Sequence, residues 1–217
     1  DNVFFYYAGH GSQILNSQSP EKDKKDETIV PSDSYLSTKD DIRDIRDKEL
    51  ALLFNQLIDK GVILTLIFDS CHSGSIARGK DDDYKERKLE PIEIDISDPG
   101  DFIKPEERPG GALVISAAQD YQTAKETKDE NGHPHGAFTD AFLKALRTSS
   151  VNESTLSIFS RIKAIVESTG RDQFPVLAGP EERKKQNLFG IDEDKLKSKT
   201  VVAVLSKKEN EIVLQGG

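Results

Sequence analysis

Methionine is missing from this chain altogether, cysteine occurs once, and no apolar run comes near membrane length. One cysteine excludes an internal disulfide and leaves a lone thiol, which in a chain that also holds histidines is a candidate nucleophile. A membrane helix needs ~20 consecutive apolar residues, so no membrane partner is expected. Basic residues are the minority, 30 Lys and Arg against 39 Asp and Glu, for a formal net charge of −9. Neutralising phosphates takes clustered cations, so no nucleic-acid partner is expected either. The missing methionine bears on the N-terminus as well. The chain opens on Asp1 and runs at once into apolar residues, which reads as a cut end. Any targeting peptide then lies upstream, and a cytoplasmic location is the expectation. What remains is ample for a core: a chain of 217 residues buries about 70% of its unfolded surface.

Val3–Ala8 (VFFYYA) is a continuous apolar and aromatic run ending at a glycine, the pattern of a strand buried on both faces. Gly9-His10-Gly11-Ser12 follows as a flexible turn, and residues 16–48, rich in Ser, Asp and Lys, read as a long excursion with little regular structure. Asp47 is placed to cap a helix reaching about Lys60, with Leu50, Leu53, Phe54, Leu57 and Ile58 at helical spacing and Gly61 as its stop. Val62–Phe68 (VILTLIF) is a second buried strand, running into Asp69-Ser70-Cys71-His72-Ser73-Gly74. Residues 79–108 hold eleven acidic and six basic residues with three prolines, a net −5, and read as a solvated, disordered loop. Ala112–Ala117 is a third strand. Gly136–Arg147 and Thr155–Ser168 are helices, with Phe138, Ala141, Phe142 and Ala145 on the first stripe and Ile158, Phe159, Ile162, Ile165 and Val166 on the second. Phe174–Ala178 is a short strand, and Thr200–Leu214 reads as strand, Lys-rich turn, strand.

Strands alternating with helices give an α/β fold with a mostly parallel sheet, in which chemistry sits beyond the carboxyl ends of the strands. The first strand leads into His10 and the second into Asp69-Ser70-Cys71. Parallel neighbours stand ~4.8 Å apart, so the two loops can bring an imidazole and a thiol into one cleft, where the imidazole can take the thiol proton. The glycines flanking His10 let a bound peptide approach, and the amides of Gly11 and Cys71 face the same space. Two such donors make an oxyanion hole, each worth ~10²–10³ in rate. His72 points away from this site and reads as a structural hydrogen-bonder. His133 and His135, in a Gly/Pro/Asn turn, read as solvated, with no ligand spacing for a metal. Cys71 and Arg78 also invite comparison with the phosphate loop of cysteine phosphatases. Six residues intervene here, and Asp69 would repel a phosphate.

YYAGHGSQ and LTLIFDSCHSGS, which place His10 and Cys71 61 positions apart, resemble the motifs of caspase-like cysteine peptidases, and among them the metacaspases and their bacterial relatives. ALVISAAQDYQTAKE, GAFTDAFLKAL and QFPVLAG…NLFG resemble the small-subunit region. The likeness covers residues 1–191, divided as a large-subunit remainder over 1–78, an acidic linker over 79–108 and a small-subunit region over 109–191, with the start of a β-rich extension over 192–217. The resemblance implies a caspase-like three-layer α/β/α sandwich, with His10 as general acid/base, Cys71 as nucleophile, and Gly11 and Cys71 as oxyanion donors. It places Asp69 in the primary specificity pocket, where a carboxylate selects a substrate Arg or Lys through a charge-assisted hydrogen bond. Asp120 and Ser116 would line the same pocket.

The implied activity is a cysteine endopeptidase cutting after Arg or Lys and processing itself within residues 76–108, the linker and its approach, which offer Arg78, Lys80, Lys85, Arg87 and Lys88. The alternative is a catalytically silent caspase-like interaction module. Some metacaspases take calcium on acidic side chains. Asp33 and Asp47 are candidates here, but Lys48 and Arg78 stand where carboxylates are expected, and cations in a hard-oxygen site oppose Ca²⁺, so the expectation is no cofactor. Finally, the His-bearing strand is preceded by two others in caspase-like sheets. Those two are expected from a separate or cleaved N-terminal segment, without which Val3–Ala8 would form an open apolar edge.

Overall fold

A computed structural model describes residues 1–19, 22–71, 89–98, 100, 103–119, 122–129, 131–170, 172–191, 204–208 and 211–214. At its centre lies a four-stranded sheet of β1 (Asn2–Ala8), β5 (Ile63–Asp69), β6 (Leu113–Ser116) and β9 (Val176–Ala178), in that spatial order. β1, β5 and β6 run parallel and β9 antiparallel. The mostly parallel α/β sheet expected from the apolar runs is therefore present.

Helices cover both faces. Alternate residues Leu64, Leu66 and Phe68 of β5, with Val3, Phe5 and Tyr7 of β1, pack against Leu50 and Phe54 of α1 (Asp47–Asp59). On the other face Ile67, Leu113 and Ile115 pack against Phe138, Ala141, Phe142 and Ala145 of α2 (Ala137–Thr148) and Ile158, Ile162 and Val166 of α3 (Thr155–Ser168). Alternation along each strand thus feeds two cores, which is why β5 reads as a continuous apolar run. α1 stops at Gly61, whose φ of +75° suits the left-handed exit. Its first turn differs from expectation. Asp47 is already helical, and the cap is built by Glu49, whose Oε2 accepts the Arg46 N–H at 3.0 Å.

Three readings of the sequence need correction. β1 is not buried on both faces. It lies at the edge of the sheet, its residues alternate between exposed and half-buried, and Phe4 and Tyr6 are 41% and 42% exposed. The polar stretch after His10 is not irregular. It folds as an antiparallel sheet of β2 (Gly11–Leu15), β3 (Lys25–Ile29) and β4 (Ile45–Arg46). Part of its charge is inside: Asp26, Asp44 and Arg46 are buried, and Lys48 of α1 is 1% exposed, with Nζ 2.6 Å from Asp26 Oδ1 of β3 and 2.9 Å from Asp98 Oδ1. The third correction concerns 89–98, which lies along β2 rather than in solvent. Its Leu89, Ile92 and Ile96 amides donate to the carbonyls of Gly11, Gln13 and Leu15 at 2.9, 2.7 and 3.0 Å. The rest of the linker through residue 88 lies outside the described residues.

A hairpin of β7 (Glu126–Lys128) and β8 (Pro134–Gly136) leads into α2, and α4 (Glu181–Lys185) follows β9. At the C-terminal end, β10 (Val204–Lys208) and β11 (Glu211–Leu214) pair antiparallel, in keeping with the two strands expected there.

Candidate active site

β1 and β5 end in register, with Ala8 opposite Asp69. The pairing continues one step further, since the Gly9 N–H donates to the Asp69 carbonyl at 3.2 Å. The chains then press together. A Cβ on Gly11 would lie 1.6 Å from the Cys71 carbonyl oxygen and 3.3 Å from its nitrogen, so only glycine fits there. This contact brings the His10 loop against the Cys71 loop, and the parallel-sheet argument holds at the backbone.

Tyr7, which sequence reasoning passed over as an apolar strand residue, fixes the His10 backbone. Its hydroxyl donates to the His10 carbonyl at 2.7 Å and accepts the Val30 N–H at 3.1 Å, while that same N–H also reaches the His10 carbonyl at 3.2 Å. The His10 residue itself is exposed.

Cys71 is 1% exposed and belongs to the core between the sheet and α2 and α3. Its Sγ accepts the Ala124 N–H at 2.9 Å and donates toward the Ala124 carbonyl at 3.4 Å. Ala124 carries no polar side chain, and nothing in its residue type marks this role.

Asp69 is fully buried at the carboxyl end of β5, two positions before Cys71. Its Oδ2 accepts the Thr139 N–H at 3.0 Å and also bonds the Thr139 hydroxyl, which in turn meets the Tyr6 hydroxyl. The carboxylate therefore caps the first turn of α2 from another element, where the helix dipole favours its negative charge. Gly136, just before that turn, leaves room for it: a Cβ there would lie 1.9 Å from Asp69 Oδ2. Of the other pocket residues, Ser116 ends β6, half-buried and paired with Phe68, while Asp120 lies outside the described residues, as do His72 and Arg78.

Of the two acidic residues considered for calcium, Asp33 carries an ion pair and Asp47 lies in the first turn of α1, next to Lys48. Asp33 pairs with Arg43 at 2.8 Å. Asp26 and Asp98 share the Lys48 ammonium, and Arg46 Nη1 stands 3.5 Å from Asp26 Oδ2. Burial pulls the Lys48 ammonium down, but hydrogen bonds and charge from Asp26 and Asp98 together outweigh it and hold it above its ordinary value. The Lys48 hydrogen bond, with one from Asn16, holds Asp98 below the usual carboxylate range. A donor set that already contains two cations does not fit Ca²⁺. His133 and His135 both reach Asp129 Oδ2 at 3.3 Å. Backbone hydrogen bonds, that of His133 foremost, lower the Asp129 carboxyl to about 2. Among the described residues no group of three or more His, Cys, Asp or Glu is arranged to hold a metal ion, and no helix is long and apolar enough to cross a membrane.

Residues 1–186 match the family model described as the caspase domain. Metacaspase-1 of Arabidopsis thaliana is 27% identical over 183 residues, 79% of this chain and 46% of that protein. Metacaspase-9 of the same plant is 45% identical over 76 residues, covering 35% of this chain and 21% of that protein. The chain thus spans less than half the length of these relatives. A crystal structure of a Geobacter sulfurreducens protein superposes with a TM-score of 0.60 at 22% identity, over 88% of this chain and 72% of that one, a likeness of fold.

Proposed function

This chain belongs to the caspase-domain family, and from that premise we propose that it is a cysteine endopeptidase that hydrolyses peptide bonds after Arg or Lys. The observation that carries the proposal is the seating of Gly11 on the Cys71 carbonyl, which sets the His10 and Cys71 loops side by side at the carboxyl ends of β1 and β5. In the reaction His10 takes the thiol proton and the thiolate attacks the scissile carbonyl carbon. The oxyanion is held by the Gly11 and Cys71 amides. Collapse breaks the C–N bond, and His10 returns the proton to the leaving amine. Water, deprotonated by His10, then cleaves the thioester and restores the thiol.

Asp69 supports a basic preference. Its hydrogen bonds to Thr139 favour the ionised carboxylate, which places a fixed negative charge two residues from the nucleophile. Asp120 and Ser116 are assigned to the same pocket on family resemblance. The Lys48 pairings support activity without calcium. Protein and peptide substrates with basic residues follow from the reading, as does self-cleavage among Arg78, Lys80, Lys85, Arg87 and Lys88. The place of β1 at the edge of the described sheet supports the docking of a further strand-forming N-terminal segment, which native mass spectrometry of the complex would detect.

The test is a fluorogenic peptide ending in Arg. The protein should cleave it without added calcium and in the presence of a chelator. Cys71→Ala and His10→Ala should abolish turnover, and Asp69→Asn, which keeps an acceptor for Thr139, should lose it selectively on basic peptides. The burial of the thiol at Ala124 favours a second reading, a silent interaction module. Complete absence of turnover on basic peptides would decide for that module.

A further inference from the structure

The candidate nucleophile is buried and hydrogen-bonded to backbone. A neutral thiol offers one proton and accepts another, and a single residue satisfies both: Ala124 donates its N–H to Cys71 Sγ at 2.9 Å, and its carbonyl lies 3.4 Å away on the proton side. The carbonyl contact needs the thiol proton, so full pairing at Ala124 uses the protonated form. The site is closed to solvent, with Cys71 1% exposed, whereas His10 is on the surface.

The segment that provides this pairing is itself tied down. Gln122 Nε2 donates to Asp172 Oδ1 at 3.0 Å, and its Oε1 accepts the Phe174 N–H at 3.1 Å. Between them Gln173, fully buried, accepts the Lys125 N–H at 3.1 Å and donates to the Ala117 carbonyl at the end of β6 at 3.0 Å. Two glutamine side chains thus fasten residues 122–125 to the 172–174 turn and to the sheet, with Ala124 held between the fastened positions.

We propose that Gln122–Lys125 is a latch that stores Cys71 as a neutral thiol away from His10, and that Gln122 and Gln173 set how firmly it closes. The proposal rests on the peptidase reading, in which the thiol must leave Ala124 to meet the imidazole. Opening the latch breaks the thiol's two hydrogen bonds to Ala124 and lets His10 accept its proton; no other reactant is needed.

Cys71 is the sole cysteine, so iodoacetamide labelling reports on it alone. The labelling rate at pH 7 and hydrolysis of the Arg peptide are measured for the wild type, Gln122→Ala and Gln173→Met, and for each in a His10→Ala background. Removing the tethers should speed labelling about ten-fold, the scale set by losing one or two hydrogen bonds, and should raise kcat for the peptide while KM stays near its starting value. The labelling gain should shrink several-fold without His10, because an unlatched thiol gains from a base that a stored one does not meet. Gln173→Met leaves two buried backbone groups unpaired. If it does not fold, Gln122→Ala carries the test. Wild-type hydrolysis with labelling in the variants no faster than wild type would overturn the latch and leave the peptidase reading standing. An equal gain with and without His10 would also overturn it, as simple loosening. No hydrolysis by any form, with labelling indifferent to His10, would remove the peptidase reading and the latch together.

Discussion

Lys48→Met isolates the buried charge cluster that clamps residue 98. The perturbation removes an ammonium that is 1% exposed and 2.6 Å from Asp26 and 2.9 Å from Asp98, while keeping most of the apolar stem. Breaking a buried pair from one side costs ~3–5 kcal/mol, because the other charge stays buried without compensation. Here the compensation is only partly lost. Arg46 remains 3.5 Å from Asp26, and Asn16 Nδ2 still donates to both Asp26 oxygens at 3.0 and 2.9 Å. The expected loss is therefore about 2–4 kcal/mol, or roughly 5–15 °C in Tm for a domain of this size.

The assay is urea and thermal unfolding of the single variants Lys48→Met and Asp26→Asn and of the double variant. Removing the orphaned carboxylate should restore about 1–3 kcal/mol, seen as coupling in the cycle. Hydrogen exchange should quicken at the Leu89, Ile92 and Ile96 amides, which bond β2, since Asp98 anchors the end of that segment. The pH dependence has a defined sign at each end. Asp98 is lowered in the folded protein, so its contribution is full above about pH 4 and fades as pH falls through the folded value. Lys48 is raised, so its contribution is full below about pH 10.4 and fades as pH rises through the folded value. A Lys48→Met protein within 1 kcal/mol of wild type in this window, with additive effects of Asp26→Asn, would refute the buried-pair account.

Gly136→Ala should drive the Asp69 carboxylate off Thr139, because the new Cβ would sit 1.9 Å from Oδ2. A destabilisation of about 1–3 kcal/mol in thermal melts and a ten-fold or greater loss in kcat/KM are expected. Tyr7→Phe removes the hydroxyl that holds the His10 carbonyl and accepts the Val30 N–H. It should cost about 1–2 kcal/mol and lower kcat more than it raises KM, as steady-state kinetics would show. Wild-type protein should give two fragments on a denaturing gel and Cys71→Ala one. Identical patterns would sink self-processing. Asp129, lowered to about 2 by amides of the β7–β8 hairpin, should keep that hairpin protected above about pH 4 and release it as pH falls toward 2, a change measurable by NMR at the Asn131 and His133 amides.

The elements legible in the sequence are those whose hydrophobic period matches their burial. β5, α2 and α3 bury the residues that recur at their spacing, and Thr155–Ser168 was legible to the residue. The small antiparallel sheet was hidden for a physical reason: Lys25–Ile29 buries Asp26, and that burial is stable only because Lys48 arrives from α1, a pairing that no local pattern displays. Residues 92–96 did carry a signal. Ile92, Glu93, Ile94, Asp95 and Ile96 alternate with period two, and the acidic residues are the exposed ones. The net charge of the surrounding stretch concealed it. β1 departs in the opposite sense: its run is continuously apolar, yet Phe4 and Tyr6, on one face, are two-fifths exposed.

The same division runs through the candidate site. His10, Gly11 and Cys71 are legible because their chemistry resides in residue type and their meeting follows from parallel-strand topology. What controls the thiol is carried by the Ala124 backbone and positioned by two glutamines some fifty residues further along or adjacent in the same segment. Backbone donors leave no mark in residue type, and a buried glutamine reads as an ordinary polar residue until both of its hydrogen bonds are known. Asp69 stands between these cases. Its charge is the residue-type signal behind the proposed basic specificity, and what the structure itself gives it is the capping of α2 through Thr139. The two are compatible, because capping by the Thr139 N–H and hydroxyl uses Oδ2 as an acceptor and consumes no charge. They also imply that basic specificity and the anchoring of α2 cannot be varied independently at this position, which is why Asp69→Asn, rather than a truncation, separates charge from fold.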